Sequence, residues 1–217
     1  MISAFPFSAR AIAAFHDRST AQWHQSPEQA ESRDTGSAEL PFLNSVLAQH
    51  RANFDLWHTE DRARAPRATP EEIVEVKRAI DFYNQRRNDL AEQCDVLLLE
   101  QVTEALRLKG GPSPSAQLHS ESPGLMIDRL SILALKIYHT QEEIDRPAAP
   151  TGHRERNRER LALLTEQRED LVQCLDHLWQ EILAGRRRFK IYRQLKMYND
   201  PTLNPAIYGS ERSSEPR

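Results

Sequence analysis

Glycine is scarce in this chain, with 7 among 217 residues. A β-rich fold with many tight turns depends on glycine, so this scarcity argues against one. Long apolar runs are also lacking, because the strongest one, residues 130–138, contains Ser131 and Lys136 and is far shorter than the roughly 20 residues of a membrane helix. We therefore predict no membrane insertion, and the absence of a basic region followed by an apolar run predicts no secretory leader.

The chain also has few cysteines and no excess of positive charge. The two cysteines, Cys94 and Cys174, fall inside helical patterns, and we interpret them as reduced core thiols of a cytoplasmic protein. The formal net charge is −3, so the chain has no general attraction to nucleic acid, which we do not expect as a partner. The basic segment at 186–196 is interpreted as a solvated helix end, whose cations suit the helix dipole.

Amphipathic helical patterns dominate what is present. Hydrophobic residues make up 39% and charged residues 28%, a balance typical of helices with one wet face. Apolar residues recur at steps of three and four in four segments, which start at capping signals or end at proline and glycine. The sequence therefore predicts an all-α fold with helices at about 41–64, 70–109, 123–145 and 153–185.

Composition divides the chain into three regions. Apolar residues around Ile12 predict a short helix that docks on the main body, and residues 24–38 have the composition of a mobile linker. The predicted regions are an N-terminal segment at 1–39, a helical bundle domain at 40–198 with hairpins at about 41–109 and 122–185, and an extended tail at 199–217.

The two hairpins resemble each other when the sequence is shifted by 81 residues. Chance heptads explain matched leucines, but they do not explain matched histidines, breaker prolines and Arg-x-Asp phrases. The shift superimposes His58-Thr59 on His139-Thr140, Pro66 on Pro147, and Arg87-x-Asp89-Leu90 on Arg168-x-Asp170-Leu171. We predict an internal repeat with a pseudo-two-fold axis and a four-helix bundle with extra terminal segments.

Two arginines of the repeat, Arg87 and Arg168, lie at seam positions flanked by leucines. A guanidinium keeps its charge, so each needs a partner. The ordinary interpretation is an internal ion pair with an acid such as Glu60, Asp61 or Glu142. The functional interpretation is a fork that grips a phosphate or carboxylate.

Two histidines of the repeat each precede an acid by three residues, which places both side chains on one helix face. The residues are His58 with Asp61 and His139 with Glu142, and each pair could supply metal ligands. Hydrogen-bonded core histidines are the alternative. No cofactor is predicted, although Mg²⁺ or Mn²⁺ remains an option.

The third predicted helix is apolar on nearly every side, so its polar residues are informative. Together with the repeat residues they form the candidate ligand-binding set: Arg87, Arg168, Lys136, His58, His139, Asn84, Asp128 and Arg129. No nucleophile motif or glycine-rich phosphate loop accompanies them.

Several long phrases resemble an uncharacterised bacterial family, domain of unknown function 4254. The resemblance covers about 42–208. Its phrases include Trp57-His58-Thr59-Glu60-Asp61, Asn84-Gln85-x-Arg87-x-Asp89, Ile127-Asp128-Arg129-Leu130-Ser131 and Lys196-Met197-Tyr198-Asn199-Asp200-Pro201. It implies an intracellular bacterial protein and suggests a setting near cell-envelope glycan genes. It carries no accepted activity, so it assigns no residue a catalytic role.

Three functions remain open at this point, and the sequence does not decide whether the protein is an enzyme. The first is a binding or accessory protein that recognises a phosphorylated or acidic ligand, such as a nucleotide-sugar. The second is a metal-dependent nucleotide hydrolase of the all-α pyrophosphatase type. The third is a structural adaptor or homodimer whose arginines only fix the helix register.

Overall fold

The computed structural model describes residues 8–26, 41–107, 113–193 and Leu203, and these residues are mostly helical. The all-α class predicted from the sequence is confirmed. In chain order the helices are α1 (Ala9–Gln25), α2 (Pro41–Ala63), α3 (Pro70–Arg107), α4 (Pro123–Asp145) and α5 (His153–Leu183). Two short strands, β1 (Gln117–Leu118) and β2 (Arg187–Arg188), pair in parallel.

Helices α2 and α3 form the first hairpin, and α4 and α5 form the second. The capping box predicted at the start of α3 is confirmed. The Glu72 amide donates to the Thr69 hydroxyl at 3.2 Å, and the Thr69 amide donates to the Glu72 carboxylate at 2.8 Å. Reciprocal caps of this kind satisfy two amides that would otherwise lack a partner.

Helix α4 is the central element, because it contacts each of the other four helices. Its first turn begins with the N-cap Ser122 followed by Pro123, as the sequence predicts. The turn is held on α3 by Asp95, which accepts hydrogen bonds from the Ser122 hydroxyl and, at 2.7 Å, from the Gly124 amide. A buried carboxylate therefore fixes where α4 begins.

Helix α1 packs mainly on α4 and also contacts α5 and α2. The Ala9 amide at its first turn donates to Asp176 of α5 at 2.8 Å. The predicted short docking helix is therefore present, but it extends to Gln25, so the linker predicted from residue 24 begins too early. The rest of that linker and most of the predicted tail lie outside the described residues.

The main core lies between the helices and draws one or more fully buried side chains from α1, α2, α3, α4 and α5. Representative members are Ile12, Val46, Leu98, Leu130 and Leu175. Cys94 is buried among them, but Cys174 is exposed, so the prediction of two core thiols is wrong for the second.

The basic segment differs from its prediction as a helix end. Helix α5 stops at Leu183, and Arg187 and Arg188 are in β2. Extended backbone there lets the His119 amide donate to the Arg188 carbonyl at 2.8 Å, which ties the segment to the loop before α4. Among the described residues, no helix combines the length and the apolarity needed to cross a membrane.

Candidate metal centre and adjoining polar core

Three histidines from three helices meet beside α4. His24 lies in the last turn of α1, His58 in α2 and His139 in α4. Their ring centroids are 5.1 Å apart for His24–His58, 5.1 Å for His24–His139 and 5.4 Å for His58–His139. One potential ligand atom from each ring lies within 4.8 Å of the others, and we call this group the histidine triad.

Hydrogen bonds orient two of the three rings. Nδ1 of His24 bonds the Thr20 carbonyl at 2.8 Å, and Nδ1 of His139 bonds the Glu142 carboxylate at 2.7 Å. Both partners only accept, so Nδ1 carries the proton in each ring and Nε2 keeps a free lone pair. The Nε2 atoms of His24, His58 and His139 are all buried, and none has a hydrogen-bond partner among the described residues. Two of these rings therefore present a free Nε2 lone pair, and the third has an Nε2 atom without a partner.

Aromatic rings enclose the triad. Trp57 stacks on His139 with centroids 4.9 Å apart, and Tyr138 stacks on His24 at 4.3 Å. Phe54 meets the His58 ring edge-on at 4.4 Å. An apolar shell of this kind holds the rings in place, and each of the three histidines keeps a partial exposure to solvent.

Electrostatics favour the neutral form of His58 in the triad. Burial lowers the pKa of His58, His24 and His139 lower it further, and Asp61 and Glu142 oppose the shift. A lowered pKa keeps the imidazole uncharged, which is the form that binds a metal.

The metal ligands predicted from the sequence are partly brought together. His58 and His139 lie in the triad, whereas Asp61 and Glu142 are not among its ligand atoms. Asp61 is exposed and pairs with Arg64 at 3.5 Å, and Glu142 bonds the back of the His139 ring.

His24 was missed by sequence reasoning. The only signal was the continuation of the α1 pattern beyond Ile12, with Trp23 buried one residue before it. Its polar neighbours along the chain resembled a linker more than a helix end.

A buried polar core adjoins the triad. His50 is fully buried, and its Nδ1 and Nε2 bond the hydroxyls of Ser131 at 2.7 Å and Thr20 at 2.9 Å. His16 lies against it with ring centroids 4.4 Å apart. Burial lowers the pKa of His50 to about 3 and that of His16 well below its usual value, so both rings are neutral.

Asp128 is the charged member of this core. Its carboxylate accepts hydrogen bonds from the side-chain amides of Gln49 and Asn53, the latter at 2.9 Å. Burial raises the pKa of Asp128, and the nearby Arg87 opposes that shift. The sequence identified Asp128 but did not identify its amide partners.

The two repeat arginines have different partners from those suggested by the sequence. Arg168 forms a bidentate pair with Asp17 of α1 at 2.9 and 3.0 Å. Arg87 lies 3.9 Å from Asp128 and donates to Oδ1 of the Asn53 side chain at 3.4 Å. Glu60, suggested as a partner for them, pairs with Arg64 at 2.7 Å.

The remaining predicted ligand residues fall into two cavities. Asn84 and Arg87 line a cavity of about 300 Å³ between α2, α3 and α4. Lys136 and Arg129 line an open cavity of about 690 Å³ between α4 and α5, where Arg129 pairs with Glu121 at 2.8 Å. The eight predicted residues therefore do not form one site.

The family comparison covers most of the chain. The profile of a family described as "Protein of unknown function (DUF4254)" matches residues 43–191. The chain belongs to this family. No curated protein matches the chain, and neither does any solved structure. His58, His139, Arg87 and Arg168 lie inside the matched range, whereas His24 precedes it.

Proposed function

We propose that this DUF4254 member is a metal-binding protein. The histidine triad would supply the metal ligands, and the bound ion would be Zn²⁺ or a similar divalent transition metal. The observations that carry the proposal are three buried Nε2 atoms without a hydrogen-bond partner and the approach of one ring nitrogen from each histidine to within 4.8 Å of the others. Leaving a buried polar atom without a partner costs about 1–3 kcal/mol, so three together call for an occupant. A bound cation would satisfy all three.

The orientation of the rings supports the same occupant. Metal-binding histidines commonly donate their second ring N–H to a carboxylate or a backbone carbonyl, which fixes the tautomer. Glu142 and the Thr20 carbonyl stand in these positions behind His139 and His24. Glu142, predicted as a ligand, is therefore better placed as the residue that orients a ligand.

The geometry requires modest adjustment on binding. A tetrahedral zinc ion with Zn–N bonds of about 2.0–2.1 Å holds its ligand nitrogens about 3.4 Å apart. The triad atoms lie within 4.8 Å, so binding would draw them together by at most about 1.4 Å. Small side-chain rotations suffice for a change of this size.

The chemical type of the ligands also limits which metals the triad can bind. Neutral imidazole suits Zn²⁺, Co²⁺, Ni²⁺ and Cu²⁺, whereas Mg²⁺ and Mn²⁺ prefer oxygen ligands. The Mg²⁺ or Mn²⁺ suggested by the sequence is therefore a poorer match than zinc. Asp61, one of the acids predicted as a metal ligand, is engaged by Arg64.

Hydrolysis is the second candidate function. Three histidines leave a fourth position for water, which is the arrangement of catalytic zinc sites. The carboxylates of Asp61 and Glu142 act electrostatically on His58, so two acids lie near such a water, paired with Arg64 and His139 respectively. Zinc-dependent hydrolysis of p-nitrophenyl phosphate that is lost in His58→Ala would support this role.

We also propose that the internal repeat is genuine. The 81-residue shift relates His58 to His139 and His50 to Ser131. The rings of His58 and His139 are in contact, and the side chains of His50 and Ser131 form a hydrogen bond. Contacts between related residues are expected near a pseudo-two-fold axis, and a four-helix arrangement of the two hairpins fits them. The triad would then lie near that axis, with His24 as its asymmetric third ligand.

The remaining expectations stay predictions of the sequence. They are a bacterial, cytoplasmic protein, a homodimer, an acidic or phosphorylated ligand, and the domain bounds 1–39, 40–198 and 199–217.

Metal titration of the full chain tests the central proposal. After removal of bound metal with a chelator, we expect one Zn²⁺ or Co²⁺ per chain, with the intense visible absorption of tetrahedral Co²⁺. Alanine at His24, His58 or His139 should abolish the band, and His177→Ala, at an exposed histidine of α5, should retain it. Full binding by the triple alanine variant would refute the proposal.

A further inference from the structure

The cavity lined by Asn84 and Arg87 lies beside the histidine triad and has unused hydrogen-bonding capacity. It has a volume of about 300 Å³ and lies between α2, α3 and α4. Its walls combine the Trp57 indole with Leu56 and Leu135, and its polar side chains include Asn84 and Arg87. An apolar wall with a few converging polar groups is typical of a small-molecule site.

Arg87 is the informative residue of this cavity, because its guanidinium is only partly engaged. Its 3.9 Å approach to Asp128 exceeds hydrogen-bonding distance, and its 3.4 Å contact with Asn53 is long for a hydrogen bond. Nε of Arg87 is buried and has no partner within the part of the chain that the structure describes. The side chain is 25% exposed, so it is accessible from the cavity.

Arg168 provides an internal comparison. It lies 81 residues after Arg87, at the corresponding place in the proposed repeat. Its guanidinium is matched by the bidentate carboxylate of Asp17 at 2.9 and 3.0 Å. Two arginines from similar sequence phrases therefore differ in one respect: Arg168 donates through Nη1 to both oxygens of a carboxylate, and Arg87 makes no such contact.

The acids around the cavity are already committed. Glu60 and Asp61 pair with Arg64 at 2.7 and 3.5 Å. Asp128 accepts from Asn53 and Gln49 and so shares its charge among several donors. No described acid is therefore bidentate on Arg87, and an anion that enters the cavity would find this donor free.

We infer that the cavity lined by Arg87, Asn84 and Trp57 binds a small oxyanion, a carboxylate or a phosphate monoester, carried on a flat apolar group. The guanidinium fork can donate to two oxygens of either oxyanion, and the Asn84 amide adds a donor. The Trp57 indole supplies a flat surface for the rest of the ligand.

The oxyanion site is distinct from the metal centre, although the two are neighbours. Asn53, which contacts Arg87, precedes His58 by five residues, about 7.5 Å along the axis of α2. Trp57 lines the cavity and also stacks on His139. A ligand in the cavity would therefore lie next to the metal without binding it.

Calorimetric titration of the metal-free full chain tests the inference. The probes are phenyl phosphate and benzoate, which separate the two oxyanions, with benzyl alcohol as the neutral control. We expect at least one of the charged probes to bind in the millimolar range or tighter and benzyl alcohol not to bind. Because Trp57 lines the cavity, binding should also change the tryptophan fluorescence, and Trp57→Phe should remove that change.

Variants locate the binding. Arg87→Lys should weaken it by about 10–100-fold, since a bidentate charged contact is lost, and the matched Arg168→Lys should leave it unchanged. Arg87→Lys keeps a positive charge near Asp128. Should this variant fail to fold, Asn84→Ala provides a second one, with an expected loss of about 3–10-fold in probe affinity.

Three outcomes would overturn the inference. They are no binding of either charged probe at millimolar concentration, equal effects of Arg87→Lys and Arg168→Lys, and binding that His58→Ala abolishes. The last outcome would show that the probe binds at the histidine triad and not in the cavity. Loss of metal binding alone, with probe binding retained, would sink the proposed metal centre and leave the oxyanion site intact.

Discussion

The carboxylate of Glu142 accepts a 2.7 Å hydrogen bond from Nδ1 of His139, one helical turn earlier in α4. This bond fixes the His139 tautomer and directs Nε2 towards His24 and His58. Loss of such an orienting carboxylate typically costs 10–100-fold in metal affinity. We expect Glu142→Gln to weaken Zn²⁺ binding by about that factor while the fold is kept, as measured by competition with a chromophoric chelator.

The neighbouring Glu143 supplies the matched control. Its carboxylate pairs with His153 at 2.8 Å and Arg146 at 3.3 Å, away from the triad. Glu143→Gln should leave Zn²⁺ affinity unchanged. An equal loss in both variants would point to a general charge effect and would remove the case for an orienting role.

A second prediction concerns the docking of α1, which carries His24. Asp17 on α1 is bidentate with Arg168, a side chain that is only 17% exposed. Asp17→Ala would leave that cation without its partner, and we expect a loss of about 1–3 kcal/mol in the free energy of unfolding. Because His24 is on the same helix, Zn²⁺ affinity should fall as well.

The exposed pair between Arg10 and Glu169 separates this effect from a general loss of charge on α1. Both of its side chains face solvent, at 65% and 35% exposure, so the pair contributes little. Arg10→Ala should change neither stability in urea nor Zn²⁺ affinity measurably. Equal effects of Asp17→Ala and Arg10→Ala would contradict the anchoring role.

The helices were largely predictable because caps and breakers act locally. Ser122-Pro123 defines the start of α4 and Thr69 with Glu72 that of α3, and both depend on residues within one turn. The same reasoning failed at β1 and β2, where two residues pair with two others about 70 positions away. A ladder that short leaves no periodic signal.

The site was half predictable for a related reason. His58 and His139 stood out because the repeat places a histidine at the same position in each hairpin. His24 comes from a helix outside the repeat, and only tertiary packing brings it to the other two. The partners of the arginines also depended on packing, since Asp17 and Asp128 lie on helices adjacent to the seams rather than on the seams themselves.

Gly124 gives a third prediction, on how α4 approaches α3. A Cβ at this position would collide with the Ala91 carbonyl oxygen and lie 2.8 Å from Cγ of Asp95. Neither the α3 backbone nor the Asp95 side chain, which caps α4, can move cheaply. We expect Gly124→Ala to cost about 2–3 kcal/mol or more in the free energy of unfolding, measured in urea.

Gly152 is the control for that substitution. It has a φ of 73° at the N-cap of α5, and an added Cβ would meet only the end of the flexible Arg156 side chain at 3.1 Å. Gly152→Ala should therefore cost about 1 kcal/mol, the usual penalty for a left-handed residue. A smaller loss in Gly124→Ala than in Gly152→Ala would contradict the close approach of α4 to α3.

The buried His50 predicts how stability depends on pH. Burial lowers its pKa to about 3, whereas the histidine of the unfolded chain has a pKa near the ordinary value of 6.5. Between these values the unfolded state binds more protons, so this contribution to stability is present above pH 6.5 and is lost as the pH falls towards 3, by about 1.4 kcal/mol per pH unit. His16 acts in the same direction, and Asp95, whose pKa burial raises to about 6, acts in the opposite one.

The contribution of His50 is therefore isolated by comparison with His50→Gln, which keeps hydrogen-bonding groups but does not titrate. Urea unfolding between pH 5.5 and pH 4 should give a pH slope that is smaller in His50→Gln than in the unaltered protein by about 1.4 kcal/mol per unit. Identical slopes would mean that His50 is not held neutral between Ser131 and Thr20.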